Sequence, residues 1–161
     1  MEEKPILASR ETFKLWRGVR RFTPLTIPGV GLVCLQSAMA REWIRIDSAS
    51  QRARLAAMQG RIKDQEQATR EFALLCFGLL VLKANEQGQP LDGSAVFDID
   101  SEEDRRFIFE MDSAITDYVV AACTTNCGIQ AIDLEAAQKK LRETIGSSLP
   151  TGSPIGATGT T

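Results

Sequence analysis

The chain has 161 residues, 43% of them hydrophobic, with 19 Lys/Arg against 21 Asp/Glu. That is enough apolar material for one core. The complete lack of histidine removes the commonest general base and the commonest metal ligand. The net charge of −2 conceals an asymmetry: residues 1–63 carry 12 basic and five acidic side chains, and residues 64–161 carry seven and 16. Intramolecular attraction or solvated faces explain such a split; a basic face for a partner, or head-to-tail self-association, explains it more sharply.

Residues 1–17 begin with MEEKP, acidic and not followed by an apolar stretch, so no signal peptide is expected. Ser9-Arg-Glu-Thr12 before Phe13, Leu15 and Trp16 suits a short helical turn or a strand start. RRFTPLTIP (20–28) reads as an extended edge, because Pro24 cannot donate to a ladder. Pro28-Gly29 signals a turn, and VGLVCLQ (30–36) reads as the stronger strand. Together they predict a small antiparallel hairpin over about 20–36.

Ser37 is the expected cap of the following helix. Met39, Trp43 and Ile46 then fall on one stripe, with Asp47-Ser48-Ala49-Ser50 a candidate break. QRARLAAMQGRIKDQEQ (51–67) continues as helix, with Leu55, Met58 and Ile62 on a second stripe and Gly60 a candidate corner.

FALLCFGLLVL (72–82) is the most apolar stretch. Alone it suits a buried strand or a buried helix. The preceding RIKDQEQATRE is rich in helix formers, which favours a central helix over about 67–84. Leu75 and Leu79 are its expected folding determinants, and Gly78 marks a close approach of another helix. The run falls short of the roughly 20 residues that a membrane span needs.

NEQGQPLDGS (85–94) reads as a surface loop and AVFDI (95–99) as a short extended piece. Ser101-Glu-Glu-Asp104 opens a helix over about 102–123, striped by Phe107, Ile108, Met111, Ile115, Tyr118, Val119 and Ala122. A last, loosely docked helix is expected over about 134–145, capped by Asp133 and ended by Gly146. The uncharged tail 147–161 is rich in Pro, Gly, Ser and Thr, and disorder is expected there. The fold class is therefore α+β and mainly helical. It comprises one domain over 1–146, a small N-terminal hairpin packed on a bundle of about four helices.

No residue pattern assembles into an active site. No G-x-S-x-G, G-x-G-x-x-G or Walker lysine occurs, so neither catalytic, cofactor nor metal residues are assigned. Asp98, Asp100, Glu102, Glu103 and Asp104 lack the glycine of an EF-hand and read as a helix cap. Cys34, Cys76, Cys123 and Cys127 read as reduced, mostly buried thiols, which indicates a cytoplasmic setting. The arginines lack aromatic interleaving, which disfavours nucleic acid. Binding through surfaces remains, and Met39, Arg41, Trp43, Ile46, Leu55, Met58 and Ile62 are the candidate partner-binding residues.

VGLVCLQ, the SAMAREW that follows it (37–43), NEQGQPLD (85–92) and IDSEEDRRF (99–107) together carry a family likeness. The chain resembles the tail assembly chaperones of siphovirus-like long-tailed phages and prophages, although its 44–66 segment is long for that pattern. The resemblance implies a chaperone that binds the tape-measure protein, keeps it soluble and helps recruit tail tube subunits. It further implies an oligomer in the host cytoplasm that is absent from the mature virion. Two alternatives stand beside it: a structural tail or connector protein retained in the virion, and a small nucleic-acid-binding or regulatory protein.

Overall fold

The computed structural model describes residues 9–15, 17–127, 138–139 and 141–143. The architecture is α+β and mainly helical, with an N-terminal hairpin followed by helices. A one-turn helix α1 (Arg10–Lys14) opens it, closed by reciprocal bonds between Ser9 and Thr12, and buries none of its residues. β1 (Phe22–Ile27) and β2 (Gly31–Gln36) pair antiparallel from Phe22↔Gln36 to Ile27↔Gly31. Their turn has Pro28 second and Gly29 third, with φ +78° at Gly29 and Val30 N–H donating to the Ile27 carbonyl.

The helical hairpin follows: α2 (Ala40–Met58), a tight corner, and α3 (Ile62–Leu80). α3 leads without a loop into β3 (Val81–Ala84), which returns through β4 (Pro90–Ala95). α4 (Glu102–Glu110) and α5 (Ser113–Asn126) complete the main body, and residues 138–139 and 141–143 are helical. The sheet has the order β1-β2-β3-β4, antiparallel throughout.

Several expectations need correcting. The central helix expected over 67–84 starts five residues earlier and stops at Leu80, because Val81 and Leu82 pair with Leu35 and Cys34 of β2. The free edge of β2 offers backbone partners that a helix end lacks, and β-branched Val81 suits a strand. The hairpin thus grows to four strands, and Pro90 to Ser94 of the expected loop become most of β4, an edge where proline is tolerated. Of AVFDI only Ala95 lies in the strand, although Val96 N–H still reaches the Val81 carbonyl.

Asp47–Ser50 is no break: α2 runs through it, and Ala49 is buried. The helix expected over 102–123 is two. It parts at Met111-Asp112, where the Asp112 carboxylate accepts from Ala114 N–H and starts α5 afresh. Ser37 does not cap α2; its hydroxyl accepts from Arg21 N–H, while the Glu42 carboxylate accepts from Met39 N–H at the helix start. Gly78 does mark a close approach, but of Ile99 from the β4–α4 connection: a Cβ there would sit 2.0 Å from Ile99 Cγ2. Leu141 is fully buried and joins the core, while the other described residues of the expected 134–145 helix are exposed or half-buried. Asp133, Gly146 and the tail 147–161 lie outside the described residues.

The core lies between the sheet and the helices. Leu74, Leu75, Phe77 and Leu80 of α3 meet Val33, Leu35 and Val81 of the sheet, Ile46 of α2, Ile108 of α4, and Tyr118 and Val119 of α5. Tyr118 also donates from Oη to the Thr26 carbonyl at 3.4 Å, tying α5 to β1. Burying each of these large side chains contributes roughly 1.5–3 kcal/mol.

Candidate interaction surface

The α2–α3 hairpin divides into two halves. Near the sheet, α2 inserts Ile46 and Ala49 into the core, and Trp43 packs half-buried against it. Here Arg20 grips Glu42 with two bonds of 2.8 Å, their side chains only 16% and 14% exposed. Burial alone would raise the Glu42 carboxyl pKa, but the hydrogen bonds from Arg20 and from Met39 N–H outweigh it and hold the pKa below the usual carboxylate value.

Farther out, residues 62–71 of α3 bury a single side chain, Ala68, and the last nine residues of α2 bury only Ala56. Small residues at both places let the two helices meet closely without bringing apolar bulk. The far end is closed by a Schellman turn: Arg61 N–H donates to the Ala56 carbonyl and Gly60 N–H to that of Ala57, with Gly60 at φ +67°. Arg52–Glu71, at 2.9 Å, links the helices across the outside, and Arg61–Asp64 closes the first turn of α3. At about 1.5 Å per residue, the outer ten residues of α3 extend roughly 15 Å from the part that reaches the core. This is an arm, held mainly to itself.

The candidate partner-binding residues separate along this division. Ile46 is fully buried and cannot meet a partner: its side chain completes the core beneath α2. Met39 and Trp43 are half-buried, while Arg41 is exposed at the start of α2. The second stripe lies on the arm, with Leu55 50%, Met58 86% and Ile62 67% exposed. Leu55 also lines a shallow groove of about 240 Å³ with Arg52, Ala56, Arg61, Asp64, Gln67 and Ala68.

Sequence reasoning missed Ile44, which is 65% exposed on α2. Its signal was present in the steps of four, three, four and three through Ser48, Gln51, Leu55 and Met58, a period hidden by the polar residues within it. It also missed Phe109, whose ring receives the Arg70 guanidinium at 5.6 Å, and it placed Phe107 on the apolar stripe of the helix. Phe107 is largely exposed, though it stacks on Phe97, which meets buried Phe77 edge-on.

The thiols are held in their neutral form. Burial pushes Cys76 up to about 12, Cys123 well above its ordinary value, and Cys34 and Cys127 upward as well. A protonated, enclosed thiol is a poor nucleophile at neutral pH. Among the described residues no three His, Cys, Asp or Glu side chains gather as a metal ion requires, and no helix is long and apolar enough to cross a membrane. Asp98 and Asp104 serve their own backbone: the Asp104 carboxylate accepts from Asp98 N–H, and that of Asp98 from Asp100 N–H. What this surface offers is apolar contact flanked by charge. No protein-family model matches the chain, and no curated protein or solved structure matches it either.

Proposed function

We propose that this protein is a tail assembly chaperone that holds the tape-measure protein soluble through its α2–α3 arm. The observation that carries the reading is the arm itself, with Leu55, Met58 and Ile62 exposed on a segment that the core does not need. A long helical client demands many modest contacts rather than one deep pocket. A projecting helical pair with a few exposed aliphatic side chains supplies one such contact per subunit. The likeness of SAMAREW, NEQGQPLD and IDSEEDRRF to the chaperone pattern supports the same reading. Tail tube subunits would then meet the chaperone–client complex in the host cytoplasm, and the chaperone would leave before the virion is complete.

Co-expression with a candidate tape-measure protein is the test. The client should remain soluble and co-purify with this chain, and should precipitate without it. A client that stays insoluble, or that is soluble but never co-purifies, overturns the proposal. Recovery of the chain in purified virions would favour a structural tail component instead.

A further inference from the structure

The solvent side of α2 carries a coiled-coil seam. Ile44, Ser48, Gln51, Leu55 and Met58 follow one another at the four–three spacing of alternating d and a positions. All five are exposed, whereas the buried residues Ile46, Ala49 and Ala56 lie on the opposite side of the helix. The positions beside the seam are charged. Arg45 and Arg52 stand at e, Asp47 and Arg54 at g, and Arg41, three residues before Ile44, falls at a and ends the apolar seam at the helix start. Asp47 is turned along its own helix, accepting from Gln51 Nε2. The seam runs from Ile44 to Met58, roughly 21 Å or about four helical turns.

We propose that this seam is the docking track for a single amphipathic helix whose apolar residues repeat every three and four positions and whose flanks are acidic. The inference rests on the proposed chaperone function and specifies which part of a client is recognised. The spacing selects a helix, because knobs at a and d find holes only in a partner of the same period. Arg52 is already paired with Glu71 of α3 at 2.9 Å, so Arg45 and Arg54, against one aspartate at e and g, select Glu or Asp on that partner and repel a basic one. Ser48 and Gln51 at the centre replace two apolar knobs, so a single subunit binds weakly and reversibly. Nucleic acid fits less well, since Ile44, Leu55 and Met58 would be left against phosphate.

Two designed peptides of about three heptads test this, both with Leu at a and d, one with Glu and one with Lys at e and g. Like charges keep each peptide from pairing with itself. Fluorescence anisotropy with the full chain should show binding of the Glu peptide, weakening with salt, and little binding of the Lys peptide. Ile44→Ser with Leu55→Ser should weaken binding about tenfold or more. Arg45→Glu with Arg54→Glu should transfer the preference to the Lys peptide. Circular dichroism should report an unchanged fold, since all four positions are exposed.

Equal binding of both peptides, or binding indifferent to Ile44 and Leu55, overturns the proposal. So does a dimer of this chain that the seam variants abolish, or duplex DNA displacing the peptide. Co-expression with the tape-measure protein separates the two readings. A client kept soluble equally well by the seam variants removes the seam and leaves the chaperone standing. A seam that binds the Glu peptide while the client precipitates does the reverse.

Discussion

The two halves of the α2–α3 hairpin share a helical geometry and differ in what holds them. The inner half is braced by the sheet, α4 and α5 through Ile46, Leu74, Phe77 and Leu80. The outer half is braced by Ala56 against Ala68, one exposed ion pair between the helices, a glycine turn and, nearest the base, the Arg70 guanidinium over the Phe109 ring of α4. Exposed ion pairs contribute about 0–1 kcal/mol, so the arm depends on helix propensity and on continuity with the anchored base. A surface meant for reversible contact can tolerate that weakness; a core cannot.

The sharpest way to break the contrast is at its root. Phe77→Ala should cost about 3–5 kcal/mol by loss of burial and creation of a cavity, read as a lowered urea midpoint. A charge at fully buried Leu80 should prevent folding. Leu79, expected from sequence to be decisive, is only partly buried, so Leu79→Asp should be milder than Leu80→Asp. If Leu79→Asp proved the more damaging of the two, the assignment of the core face of α3 would be wrong.

Gly78→Ala should cost about 1–3 kcal/mol, because the added methyl meets Ile99 before any neighbour can move aside. A Gly78→Ala, Ile99→Ala double variant that loses less stability than the two single variants added together would confirm that the contact with Ile99 Cγ2 is responsible.

Glu42→Gln should cost about 1.5–3 kcal/mol, the value of hydrogen bonds to a charged group. The pH dependence has a definite sign. The folded-state pKa of Glu42 lies below its unfolded value, so its contribution is complete above the unfolded pKa. It is lost as pH falls through the folded pKa. Denaturant titrations below the ordinary glutamate range should therefore show a steeper acid loss in the wild type than in Glu42→Gln. Parallel curves would mean that the Arg20–Glu42 grip contributes nothing.

Gly60→Ala should cost about 1–2 kcal/mol, from left-handed backbone strain alone, since nothing lies near the added Cβ. Hydrogen exchange should show faster opening of residues 56–68 with little change at 74–80. Uniform acceleration along α3 would show that arm and base open as one unit. The smallest effect belongs to the exposed side chains: Leu55→Ser and Met58→Ser should leave stability within about 0.5 kcal/mol while lowering affinity for a helical partner.

Local chemistry was legible in the chain wherever it acts over a few residues. The Pro28-Gly29 turn and the Ser101 start of α4 read directly and Gly60 was a candidate corner, because each depends on its own φ angles or on bonds within one turn; Ser9–Thr12 was left between a helical turn and a strand start, and the structure shows a capped helix. The α+β class and the leading hairpin were legible too, from the change between extended and helical periodicity. Of the candidate surface, Leu55, Met58 and Ile62 were named from sequence, but Ile46 was grouped with them although it fills the core. A stripe states which residues share a face and says nothing of what that face meets.

The tertiary structure alone decided the fate of Val81 and Leu82. Their apolar side chains suit the end of a buried helix as well as a strand, and the open edge of β2 settled the choice by supplying backbone partners. It decided likewise that Pro90 to Ala95 form an edge strand and that Leu141 is buried. Most of all, it decided which part of a uniform-looking helical pair is anchored and which projects. Helix propensity is a property of neighbouring residues, whereas burial is a property of everything that packs around them.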